Sequence, residues 1–138
     1  MIRFTGIVHP WLCDSFGHLN TRHYVAMFDD ATHVLIAHLG YRKGDAHGWV
    51  DVRNEIDYLA EVRAGAVVEI SSSVTKLGTK SVTLCAEMRS FEGSLTHSRM
   101  QAVIVYFDLS RRCSARIPDE VREKAAGLAM AAQATEGV

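Results

Sequence analysis

Nothing in the 138 residues approaches the roughly 18 consecutive apolar residues that a membrane span requires. The opening stretch, residues 1–6, carries no apolar run of the length a secretory leader has, so the expected location is cytoplasmic. Cysteine is scarce. Cys13, Cys85 and Cys113 are odd in number and form no C-x-x-C pair, which points to reduced thiols rather than a disulfide framework or a zinc site. There is no H-E-x-x-H, and His33 and His38, five apart, face different sides of a helix, so no metal is expected. G-x-S-x-G is missing as well, which removes the elbow type of serine hydrolase. Neither sign of charge is in excess: 15 Lys and Arg against 16 Asp and Glu leave a formal net charge of -1. Nucleic acid and anionic membrane are therefore not expected partners. No Pro/Gly-rich linker and no internal repeat divides the chain, so residues 1–138 are expected to form a single domain.

What is present is an ordinary globular balance, 48% hydrophobic and 22% charged. Residues 3–9 read as a short strand that ends at Pro10. After a loop, Asn20 is a good N-cap for a helix over 21–39, about 28 Å long at 1.5 Å per residue. Val25, Phe28, Thr32, Leu35, Ile36 and Leu39 recur at three- and four-residue steps and give it one apolar stripe, and Gly40 suits its C-terminal end. Residues 50–58 alternate, which sets Val50, Val52, Ile56 and Tyr58 on one strand face. Residues 65–77 and 80–90 read as strands joined by a turn at Gly78-Thr79. Residues 102–107 are apolar on both faces, as in a central strand covered on each side. Pro118 opens a C-terminal tail, 119–138, helical over 119–132 and frayed over 135–138.

The order strand, loop, long helix, then four strands in antiparallel meander predicts an α+β fold with a five-stranded sheet. One helix cannot cover both faces of such a sheet. The bare face and the edge strands would seek a partner, so a homodimer, or a dimer of dimers, is expected.

Chemistry-bearing residues crowd the loop over residues 10–20: Trp11, Cys13, Asp14, Phe16, Gly17 and His18. Taken alone, Asp14 reads either as a turn cap or as a reacting carboxylate, and Cys13 as a packed thiol. The run Asp14-Ser15-Phe16-Gly17-His18-Leu19-Asn20, followed by Tyr24, Phe28, Asp29 and Ala31, resembles the D-x-x-G-H-x-N loop and helix of a known family. These are the acyl-CoA thioesterases of the 4-hydroxybenzoyl-CoA thioesterase family, which have the hot-dog fold. The resemblance covers roughly residues 7–118. It implies an antiparallel five-stranded sheet wrapped around one long central helix. It also implies hydrolysis of acyl-CoA thioesters to free acid and coenzyme A. Acyl-CoA is then the expected small-molecule partner, and no cofactor is expected beyond the coenzyme A of the substrate itself.

Residue by residue, the resemblance assigns the catalytic carboxylate to Asp14 and the remaining motif positions to Gly17, His18 and Asn20. It puts an amide that polarises the thioester oxygen near Thr21, where many relatives carry a second Asn. That division suits the reaction: a helix N-terminus favours a developing oxyanion, and the carboxylate serves either as general base on water or as the nucleophile of a mixed anhydride. His18 orients Asp14 or holds the loop; Asn20 caps the helix, with or without a ligand role. Tyr24 and Phe28 are core or acyl-pocket wall, and Gly17, Trp11 and Phe16 complete the expected substrate-binding set. If Trp11, Phe16, Trp49 and Tyr58 converge, they would suit an aromatic or quaternary-ammonium acyl group. Arg111, Arg112 and Arg116 meet coenzyme A phosphates or form a solvated cluster; Arg53 and Glu55 face a dimer partner or the acyl pocket. Two competing readings are a non-catalytic acyl-CoA or acyl-carrier binding module and a hot-dog dehydratase or hydratase, whose histidine–acid motif is not found.

Overall fold

The computed structural model describes residues 1–129. Strand β1 (Ile2–Ile7) leads through a single 3-10 turn at Pro10–Leu12 and a loop into helix α1 (Thr21–His38). Asn20, held in an extended conformation, starts the helix by accepting the Arg22 N–H on Oδ1 at 3.1 Å. The other end is a Schellman closure: Gly40 takes a φ of 101°, its N–H donates to Ala37 O at 3.0 Å, and the Tyr41 N–H donates to Ile36 O at 3.3 Å. The buried stripe comprises Tyr24, Met27, Phe28, Ala31, Thr32, Leu35 and Ile36. Val25, which the periodicity assigns to that stripe, is 42% exposed. It sits a residue off the stripe, with Arg22 and Asp29, beside an open groove shared with Asp51 and Asn54.

Five further strands follow: β2 (His47–Tyr58), β3 (Val67–Leu77), β4 (Ser81–Ser90), β5 (Thr96–Asp108) and β6 (Cys113–Ser114). The chain then enters α2 (Asp119–Gly127). The sheet order is β1-β3-β4-β5-β2, antiparallel throughout, with β6 paired to the end of β5. A simple meander is thus corrected: only β3, β4 and β5 follow one another in space, and β2 lies on the far edge against β5. Helix α1 lies along this edge strand: Tyr24 near its start meets Tyr58 at 5.0 Å, and Leu39 and Gly40 at its far end sit beside His47 and Trp49.

The face toward α1 is the core. Val68 and Ile70 on β3, Val82, Leu84 and Met88 on β4, and Ile104 on β5 are fully buried with Phe28 and Leu35. Each such side chain contributes on the order of 1.5–3 kcal/mol of burial. The opposite face carries Thr83, Glu87, Arg99 and Gln101, and Val103 and Val105 on it are only half-buried. Strand β5 is therefore covered on one face, not two. This is the hot-dog arrangement, an antiparallel sheet curled around one long helix.

Strand β2 departs from the simple alternation. Pairing jumps from Asp51↔Ile104 to Arg53↔Val103, which leaves Val52 without a partner. This bulge reverses the parity: Trp49 and Asp51 before it, and Asn54, Ile56 and Tyr58 after it, share the helix side. Val50 and Val52 are exposed, at 38% and 59%, rather than aligned with Ile56. Helix α2 ends at Gly127, and Ala129 bridges to Val74; residues 130–138, including the stretch expected to fray, lie outside the described residues.

Candidate active site

A short turn carries Asp14. Its N–H donates to His18 O at 3.0 Å, and the Gly17 N–H donates to Asp14 O at 3.0 Å. Gly17 makes this closure possible with a φ of 89°, a region that costs side-chain-bearing residues energy. The Asp14 carboxylate takes the Phe16 N–H on Oδ1 at 2.9 Å. Among the described residues nothing donates to Oδ2. The turn is fixed on both flanks, because the Leu19 N–H donates to Val62 O at 2.7 Å and the Asn20 N–H to Leu12 O at 2.9 Å.

The first turn of α1 has free amides to account for. Arg22 gives its N–H to the Asn20 side chain, and His23 donates to Asn20 O at 2.9 Å. Among the described residues no acceptor takes the Thr21 N–H. Asp14 and Thr21 line one cleft of about 370 Å³, together with Phe16, His18, Tyr24, Tyr58 and Glu61. Two residues, one with a carboxylate oxygen and one with a helix amide that lack partners among the described residues, thus line the same cleft.

The cleft floor is aromatic. Tyr24 is 5% exposed and meets Tyr58 edge-on at 5.0 Å. Burial pushes its phenol pKa above the ordinary value, the neighbouring Tyr58, Glu61 and Asp14 charges add to this, and a hydrogen bond with the Val62 backbone opposes it. Tyr24 therefore stays a neutral hydroxyl well past neutral pH. On the wall, His18 Nε2 lies 3.0 Å from Glu61 Oε2, and Arg63 Nη2 donates to Glu61 Oε1 at 3.2 Å.

Of the residues singled out from sequence, Asp14, Phe16, His18, Thr21 and Tyr24 come together here. Gly17 and Asn20 shape the loop and the helix cap behind it. Phe28 has no exposed surface and belongs to the core. Trp11 is 75% exposed, stacks on His9 at 4.4 Å and is not part of the lining. The aromatic quartet does not converge: Phe16 and Tyr58 reach the cleft, whereas Trp49 packs on Tyr106 at 5.1 Å, about nine strand residues or 30 Å from Tyr58. Arg112 lies over Phe107, Arg116 pairs with Asp119, and Arg53 pairs with Glu55 on the outer sheet face. Glu61 is the residue that sequence reasoning missed. It follows the end of β2 in no motif, and its contact with residue 18 is made by folding alone.

Volume does not select this site. A larger depression of about 550 Å³ lies on the outer face of the sheet beside Arg53, Thr83 and Gln101, and another of about 300 Å³ lies beside Trp49 and Tyr106. The pairing of carboxylate and free helix amide distinguishes the Asp14 cleft.

Fold and family together define a hot-dog thioester hydrolase. The match of residues 8–125 to the thioesterase-like superfamily makes the chain a member of it. Among solved structures, it is similar to the PA5185 protein from Pseudomonas aeruginosa strain PAO1, at 26% identity and a TM-score of 0.86, over 96% of this chain and 94% of that one. Slr0204, a 1,4-dihydroxy-2-naphthoyl-CoA thioesterase from Synechocystis, shares the fold at 16% identity and a TM-score of 0.80, over 92% and 96%. SAV2348 from Staphylococcus aureus, solved in complex with CoA, does so at 19% and 0.82, over 93% and 85%. No curated protein matches the chain by sequence.

Proposed function

We propose that the protein hydrolyses acyl-CoA thioesters to free acid and coenzyme A, with Asp14 as the reacting carboxylate and the Thr21 N–H as the oxyanion donor. The observation that carries this reading is the shared cleft: Asp14 and Thr21 line it together, and the Asp14 Oδ2 and the Thr21 N–H have no protein partner among the described residues. A thioester carbonyl seated there directs its oxygen at Thr21, where the helix dipole favours the charge that develops on attack. Asp14 Oδ2 either takes the proton of an attacking water or attacks the carbonyl carbon itself. The thiolate is a good leaving group and needs no strong acid to depart. Tyr24, Tyr58 and Phe16 supply the apolar wall for the acyl chain. Coenzyme A enters as part of the substrate, and the named structures, one a CoA thioesterase and one solved in complex with CoA, support that choice.

We further infer a homodimer built through β2, whose outer edge has no neighbour strand among the described residues. Val50, Val52 and Val25 are exposed along that edge and the adjoining groove, which a second copy would cover. Three free cysteines suit a cytoplasmic setting.

The test is release of free thiol from a panel of short, long, aromatic and charged acyl-CoAs by the purified protein. Turnover of one class supports the reading. Thermal stabilisation by acyl-CoA without turnover of any member would replace it with the binding-module alternative.

A further inference from the structure

We infer that Glu61 is a positioning residue for Asp14 and acts through the His18 imidazole; the inference rests on the hydrolytic reading of the cleft. Glu61 stands on the 59–66 connection between β2 and β3, and its two carboxylate oxygens are spoken for. Oε2 lies 3.0 Å from His18 Nε2, and Oε1 accepts from Arg63 at 3.2 Å.

His18 joins this connection to the reacting turn. Its carbonyl accepts the Asp14 N–H at 3.0 Å, its backbone bridges to Arg63, and its imidazole Nε2 lies 3.0 Å from Glu61 Oε2. The turn it closes contains Gly17, at a φ of 89° and with nothing within 4 Å of where a side chain would be, so no side-chain packing holds it there. Tethering the imidazole to the neighbouring connection therefore restrains the carbonyl that fixes Asp14. Glu61 also brings a second carboxylate to the cleft wall, where His18 and Arg63 sit against its two oxygens.

The side chains of His18 and Glu61 are 33% and 48% exposed, so their contact contributes little to folding. Its effect is on geometry, and this separates catalysis from stability in the test. Kinetic constants and melting temperatures are measured for wild type, Glu61→Ala, His18→Ala and the double variant, on an acyl-CoA that wild type turns over. Glu61→Ala lowers kcat on the order of 100-fold, the cost of a small misplacement of a reacting group, with KM and melting temperature little changed. Glu61→Gln, which still accepts from the imidazole, recovers most of kcat. Glu61→Asp, too short to span the contact, behaves like alanine and serves if Glu61→Ala does not fold. The double variant is no slower than His18→Ala alone.

Wild-type kcat in both Glu61→Ala and Glu61→Asp overturns the inference, as do losses that multiply in the double variant. These outcomes leave the hydrolytic reading intact provided Asp14→Asn is inactive. A wild-type protein that releases no thiol from any acyl-CoA overturns both.

Discussion

The Asn20 side chain takes the N–H of Arg22 at 3.1 Å and leaves that of Thr21, which lines the same cleft as Asp14, without a partner among the described residues. The cap thus performs two tasks, closing the helix and choosing which amide stays free. Asn20→Ala removes the cap and costs about 1 kcal/mol, read as a lower urea midpoint; Asn20→Ser, which can accept the same N–H, restores most of it.

Gly17 is an equally local test. An added Cβ would meet nothing within 4 Å, so the cost of Gly17→Ala is conformational strain alone, about 1–2 kcal/mol at its φ of 89°. Relief of that strain shifts the turn, so kcat falls while the fold survives. Gly17→Asn is milder, because Asn tolerates the left-handed region. Equal kcat for glycine, asparagine and alanine would dissociate the turn from catalysis.

Phe28 separates core from pocket. With no exposed surface, Phe28→Ala costs about 3–5 kcal/mol in a denaturant titration. Phe28→Leu, a smaller loss, leaves KM at the wild-type value. A raised KM in that variant would return Phe28 to the acyl wall.

Asp108 predicts a pH dependence. The backbone N–H groups of Arg111 and Ser110 donate to its Oδ1, both at 2.9 Å, and hold its carboxyl below the usual carboxylate range, with His47 and Arg111 assisting. Its folded pKa lies below the unfolded one, so its stabilisation is complete above the unfolded value and fades as pH falls through the folded value. Asp108→Asn therefore melts below wild type at neutral pH, and the two curves converge in acid. A gap that stays constant down to acid pH would contradict this assignment.

The exposed β2 edge gives a test of assembly. Wild type sediments as a dimer, and Val52→Asp, which sets a charge at the unpaired bulge, shifts it toward monomer without lowering the helical circular-dichroism signal. A wild-type monomer at micromolar concentration would remove the β2 interface.

The legible part of this protein was local. Asn20, Gly40 and the three- and four-residue steps between Phe28 and Leu35 drew α1 almost to the residue, because caps and periodicity depend on near neighbours. The strand over 80–90, entered through the turn at Gly78-Thr79, was equally readable. What escaped depends on distant contacts. The bulge at Val52 exists only against β5, β2 pairs with β5 across a long sequence separation, and Glu61 meets His18 because two loops cross. The loop motif brought Asp14, His18 and Thr21 to one place; the aromatic quartet failed because Trp49 and Tyr58 stand at opposite ends of one strand, about nine residues or 30 Å apart.

Thiol release by Asp14→Asn, on an acyl-CoA that wild type hydrolyses, bears most directly on the central claim. The account predicts a rate lower by on the order of 100- to 10,000-fold, the usual contribution of a positioned proton acceptor, at a melting temperature close to wild type. Thiol release at the wild-type rate by the folded variant would contradict it.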